Sequence, residues 1–133
     1  MRLDQFFRGF LLAVRASGVD YLKTRGNEHH KRFALVVAAL ATTEDPELAQ
    51  FARTFRPNML GLYRELDGAV LRAQDLVLGA NNPSYVGLTY KISKETADEI
   101  LQKMFSQHKA AFTELAAVFN KKKKTEMPES VAA

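Results

Sequence analysis

The chain has no cysteine. That absence removes disulfides, thiolate metal sites, a cysteine nucleophile and thiol redox sensing, and it suits a reducing compartment such as the cytoplasm. Long apolar runs are lacking too. The stretch Phe6–Val14 is short, is interrupted by Arg8 and Gly9, and runs into Arg15. Neither a signal peptide nor a membrane span is expected from it, and no membrane partner. The sets that carry catalysis are also missing. Ser17, Ser84, Ser93 and Ser106 fall at helix ends, in turns or on helix faces, and Gly61, Gly68, Gly79 and Gly87 are scattered rather than gathered into a phosphate-cradling loop. The sequence therefore predicts no catalytic residue, no cofactor and no enzyme.

Charge of one sign is scarce once it is located. The formal net charge is +4 over 133 residues, but residues 1–120 hold 15 Lys/Arg against 13 Asp/Glu. The rest of the excess is the run Lys121–Lys124, partly offset by Glu126 and Glu129. Cations concentrate between residues 2 and 33, where Arg2, Arg8, Arg15, Lys23, Arg25, Lys31 and Arg32 face only Asp4, Asp20 and Glu28. Phosphate binding depends on such local clustering rather than on net charge.

What is present is helical periodicity. A first helix is expected from Asp4, as N-cap, to Ser17, with Leu3, Phe7, Phe10 and Val14 on one face and Phe6 and Leu11 widening the stripe. Gly18 either ends it or is tolerated within it, and Gly26–Asn27 make a stop. A second helix covers about His29–Ala41, with Phe33, Val36, Val37 and Leu40 inward. Asp45 and Pro46 read as N-cap and first helical position of a short helix to Phe55. Pro57 breaks the chain at Arg56. A fourth helix is expected from Asn58, with Met59, Leu62, Tyr63 and Leu66 aligned. Helix, capped turn, short helix, proline turn and helix is the order of a helix-turn-helix. Its second helix would offer Asn58, Gly61, Arg64 and Glu65 to a major groove, Asn and Arg being able to make bidentate contacts with adenine and guanine, while Arg56 holds a phosphate. The competing reading is an all-α helical bundle in which these residues are a solvated face.

Gly68–Gly79 admits two readings. Leu66, Ala69, Val70, Ala73, Leu76 and Val77 continue the helical stripe. Alternatively Val70–Arg72 and Asp75–Leu78 enter a β-hairpin that turns at Ala80–Ser84 and returns along Tyr85–Ile92, the one segment rich in aromatic and β-branched residues. A lone strand leaves its backbone unpaired, which favours the hairpin. Ser93 then caps a long helix, Lys94 to about Asn120, with Leu101, Met104, Phe105, Phe112, Leu115, Val118 and Phe119 along it. Residues 1–120 form one domain, and 121–133 read as a disordered Lys-rich tail.

ELAQFARTFRPNMLGLYRELDGAVLR, a polar turn and VGLTYKISKETADEILQKM together resemble the winged-helix domain of MarR-type transcriptional regulators, over about residues 4–120. The matching features are Leu66–Asp67 at the end of the reading helix, Leu88–Thr89 leading into the long helix, and HHKRFALVVAALATTEDPELAQFA as the family's second helix. The resemblance implies a mainly α fold with a small β-hairpin, a winged helix-turn-helix whose long terminal helices pair two copies into a homodimer on double-stranded DNA. It implies a small apolar effector between those helices and the DNA-binding lobe, and DNA contacts from Arg56, Asn58, Gly61 and Arg64, with Arg72 and Lys91 flanking the wing. The sequence departs from the family at Asp75–Pro83, which lacks the wing arginine, and in a reading helix without Ser or Thr hydroxyls. The second expectation is a non-enzymatic helical subunit of a larger assembly, with 58–78 as one continuous helix.

The three histidines point away from a metal. His29 and His30 are adjacent, about 100° apart on a helix, with no further ligand at metal spacing. His108 is expected as a satisfied core or interface histidine within the last helix.

Overall fold

The computed structural model describes residues 1–23, 27–78 and 87–132. Helix α1 spans Leu3–Ala16, strand β1 Tyr21–Lys23, helix α2 Glu28–Leu40 and helix α3 Pro46–Ala49, which tightens into a 3₁₀ turn over Gln50–Arg53. Helix α4 spans Arg64–Arg72, strands β2 and β3 Val77–Leu78 and Gly87–Tyr90, and helices α5 and α6 Lys94–Phe105 and Lys109–Ala132. The fold is mainly helical with a small antiparallel sheet. No helix among the described residues is long and apolar enough to cross a membrane.

Helix α1 is the centre of the core. Phe6, Phe7, Gly9, Phe10, Leu11, Leu12, Ala13 and Val14 are all buried, so this helix is apolar around most of its circumference. Phe6 packs against Phe51, Phe55 and Phe112, and Phe10 against Phe33 and Phe119. The helix that the resemblance implies as a dimer helix thus has its wide apolar stripe covered within one chain. Its N-terminus is not at Asp4. Arg2 holds the extended capping position and its N–H donates to Gln5 Oε1 at 2.8 Å, while Asp4 sits in the first turn and pairs with Arg2.

Of the two readings of Gly18, the stop holds: at φ +109° it follows the end of α1, and Tyr21–Lys23 form a strand rather than more helix. Two other boundaries differ from the sequence reading. The helix expected from Asn58 begins at Arg64, because Asn58 closes a hydrogen-bonded turn with Leu60, Gly61 and Leu62 instead. The expected helix from Lys94 to Asn120 is two, broken between Phe105 and Lys109. At the break Ser106 to His108 form a turn, and Phe105 and Phe112 meet edge to face at 5.5 Å. By contrast Asp45 and Pro46 start α3 as read. Asp45 Oδ1 accepts from the N–H groups of Glu47 and Leu48 at 3.0 and 3.2 Å. Ser93 likewise caps α5, its Oγ accepting from Thr96 N–H.

The two readings of 68–79 are each right over part of it. Val70–Arg72 is helical, not strand. After a turn at Ala73–Leu76 the chain enters β2, which pairs antiparallel with β3, Val77 opposite Tyr90 and Leu78 opposite Thr89. The continuous helix 58–78 required by the bundle reading is not formed. The turn at Ala80–Ser84 lies outside the described residues, as do the side chains of the tail expected at 121–133. β1 also pairs with β3, Tyr21 opposite Thr89 and Lys23 opposite Gly87, giving the sheet order β1-β3-β2.

The sheet is tied to α1 by the buried Tyr90 and the half-buried Arg15. Tyr90 Oη donates to Leu11 O at 2.7 Å, and Arg15 donates to Ile92 O at 2.7 Å and Val19 O at 3.0 Å. Burial pushes the Tyr90 phenol far above its ordinary value, so it stays a hydrogen-bond donor.

Where α1 crosses α6, Gly9 leaves no room: a Cβ there would run into the Phe112 ring, itself fully buried. Gly9→Ala should therefore destabilise the fold by roughly 1–3 kcal/mol, although alanine alone favours a helix by about 1 kcal/mol. Urea unfolding checks this. An unchanged or raised midpoint would mean that the two helices do not meet this closely.

Candidate nucleic-acid interface

Helix α4 is held to α2 by one buried histidine. Tyr63 N–H donates to His30 Nδ1 at 2.8 Å, immediately before α4 begins. A backbone N–H can only donate, so Nδ1 is the bare nitrogen and Nε2 carries the proton. That proton goes to Asp67, one turn into α4, with Nε2 3.0 and 3.1 Å from its two carboxylate oxygens. His30 is 2% exposed. Its two nitrogens therefore fix both where α4 starts and how it is rotated.

His29 reaches the same carboxylate, Nε2 lying 3.2 Å from Asp67 Oδ1. The sequence reading set the adjacent histidines apart, yet the structure gathers His29, His30 and Asp67 with ligand atoms within 4.8 Å of one another. That is a cation-binding set by composition, but its chemistry is already committed. A metal on His30 Nε2 would leave the ring proton on Nδ1, where Tyr63 N–H already points. The cluster reads as a helix-positioning latch. Its signal in the sequence is a polar pair at the start of α2 with an aspartate 37 residues on, a spacing that no local rule detects.

His29 has a different character. Desolvation, partly opposed by Asp67, lowers its pKa below the ordinary 6.5, and its Nδ1 is buried without a partner among the described residues. His108 sits at the α5–α6 break rather than within a continuous stripe. Its Nδ1 lies 2.6 Å from Asp45 Oδ2 and its Nε2 3.5 Å from Glu47 Oε1, tying that break to the start of α3.

With α4 so placed, its outer side carries Arg64, Leu71 and Arg72, all exposed, around the half-buried Gly68. Arg64 and Arg72 are the first and last residues of the helix, about 12 Å apart along its axis. Lys91 is exposed directly after β3, and its N–H donates to Leu76 O at 2.7 Å, anchoring the hairpin to the end of α4. Asp75 lies in the turn between α4 and β2. Arg8 binds it at 2.6 Å and, with a smaller contribution from Lys91, holds its carboxyl below the usual carboxylate range. Arg8 and Lys91 thus share the field of one neutralised acid, while the Arg72 guanidinium lies over Gly68. Beside them a hollow of about 200 Å³ opens between α1 and α4, lined by Phe7, Arg8, Leu11, Ala69, Arg72 and Leu76 among others.

Arg56, Asn58 and Gly61 do not share the face of α4. They belong to the turn before it, where Asn58 Oδ1 accepts from the N–H groups of Leu60 and Leu62 and Gly61 adopts φ +81°. Half of the Asn58 amide is therefore occupied by its own backbone. Compared with family models, curated proteins and solved structures, the chain matches none of them.

Two measurements probe the latch. His30→Leu removes the acceptor of Tyr63 N–H and the donor to Asp67, and is expected to lower stability by about 1–3 kcal/mol; an unchanged urea midpoint would show the latch to be incidental. The lowered pKa of His29 means that the folded state prefers the neutral ring. Its contribution is then complete above about pH 6.5 and erodes as pH falls below that value, levelling off beneath the folded pKa. His29→Gln should flatten this part of the stability–pH curve. A variant with the wild-type slope between pH 6.5 and 5 would contradict the assignment.

Proposed function

We propose that the protein is a non-enzymatic, winged-helix DNA-binding regulator in which α4 enters the major groove and the β2–β3 hairpin lies beside it. The observation that carries this reading is the connectivity: α4 passes within a few residues into an antiparallel hairpin, inside a sheet of order β1-β3-β2. A helix followed by such a hairpin is a groove-sized rod with a neighbouring finger. Arg64 and Arg72 supply bidentate donors for guanine edges or phosphates along the rod, and Lys91 supplies a phosphate contact at the finger's base. Arg56 adds a cation before the helix.

Pairing of two copies belongs to the same proposal, since a two-fold axis would bring two α4 helices to half-sites about one helical turn apart. Because α1 is occupied by the interior, the pairing surface falls to the outer side of α5, where Met104 is exposed. A small apolar effector would fit the hollow between α1 and α4, touching Arg72 and thereby the reading side of α4.

The test is an anisotropy titration of the full chain against duplex from its own upstream DNA. Neutralising four phosphates gives a slope of log Kobs against log salt of about −3 to −4. Arg64→Ala and Arg72→Ala should each reduce that slope by about one and weaken binding at low salt. Binding that is undetectable at low salt, or indifferent to both substitutions, overturns the proposal.

A further inference from the structure

The turn between α3 and α4 is clasped shut by its own backbone. Asn58 N–H donates to Leu62 O and Gly61 N–H to Asn58 O, both at 2.9 Å. The Asn58 side chain adds bonds from Leu60 N–H at 2.8 Å and Leu62 N–H at 3.0 Å. At φ +81°, Gly61 holds a conformation that a side chain would resist. The tip of this clasp carries Met59 and Leu60, which are 103% and 81% exposed. Single exposed apolar residues are ordinary. Two large ones side by side on a stiff turn take no part in the core of the described residues.

The feet of the clasp are cationic. Arg56 precedes it and Arg64 follows it, both exposed and neither with an acidic partner within 4 Å among the described residues. Arg53, also exposed and unpaired in the same sense, stands one turn upstream. An apolar tip between cations is complementary to an anionic surface with an apolar interior.

We infer that this clasp is a wedge for double-stranded nucleic acid: Met59 and Leu60 enter between adjacent base pairs while Arg56 and Arg64 hold phosphates on either side. The inference rests on the DNA-binding reading and extends it from the face of α4 to the turn before it, with a kinked duplex as the consequence. Two features favour a base step over a bilayer. Two side chains match the size of one unstacked step, whereas attachment to a lipid surface scales with a larger buried apolar area. Separating stacked bases requires a wedge that does not fold aside, and the four hydrogen bonds of the clasp provide that stiffness. Asn58 acts here as the frame of the wedge rather than as a base reader.

The chain has no tryptophan, so Leu60→Trp places a sole tryptophan at the tip, excited selectively beyond the tyrosine band. Its emission is expected to be quenched by stacking on duplex DNA and to be unchanged by phosphatidylcholine vesicles containing phosphatidylserine. In parallel, a duplex carrying a donor and an acceptor dye at its ends should shorten when the wild-type chain binds. The Met59→Ser/Leu60→Ser variant should lose that shortening while keeping salt-dependent binding and the wild-type unfolding midpoint, because neither side chain belongs to the core. Binding without shortening, or shortening that survives the double substitution, overturns the wedge and leaves the DNA reading standing. Absence of any duplex binding overturns both. A reporter that responds to the anionic vesicles and not to DNA assigns the tip to a bilayer and overturns the wedge.

Discussion

The fold of the candidate surface depends on one imidazole. His30 accepts from Tyr63 N–H with one nitrogen and donates to Asp67 with the other, so a single buried ring sets the start and the rotation of α4. Few side chains can do both at once. A lysine has no acceptor, a carboxylate has no donor when ionised, and a leucine would leave the Tyr63 N–H without a partner near the core. With α4 fixed at its first turn, the position of Arg64, the end of the helix at Arg72 and the entry into β2 all follow.

The rest of the molecule supports this arrangement from the other side. Helix α1 fills the interior and offers its backbone to the sheet through Leu11 O, while Arg15 bridges from α1 to the residues flanking β1 and β3. The hairpin is therefore anchored on the same rigid helix that Phe7 and Phe10 pack to α2 through Phe33. Helix α4 and the hairpin share one support. A ligand entering the hollow between α1 and α4 would press on that support and on Arg72 together.

Much of this was legible in the sequence because its causes are local. Asp45–Pro46 carries its own capping geometry, Ser93 caps the next long helix, and the apolar faces of α1 and α2 announce themselves at helical spacing. The failures share a reason as well. Residues 58–62 have helical periodicity, yet their structure is decided by a side chain bonding its own turn, which periodicity does not register. Tyr21–Lys23 is too short to signal a strand and exists because β3 needs a second partner. The break near His108 depends on Asp45, 63 residues earlier. The latch was out of reach for the same reason, since the histidines and Asp67 meet only after α2 and α4 have packed. Of the expected contact residues, Arg64 and Arg72 share one side of α4 and Lys91 stands by the hairpin, whereas Arg56, Asn58 and Gly61 belong to a separate turn.

The central claim is that α4 and the hairpin form one continuous recognition surface. Amide chemical shifts of the isotope-labelled chain, followed as duplex DNA is added, test it most directly. The account predicts changes concentrated at Arg64, Gly68, Leu71, Arg72 and Lys91, with the interior of α1 unaffected. Changes confined to α5 and α6, or a spectrum that DNA leaves untouched at low salt, would contradict it.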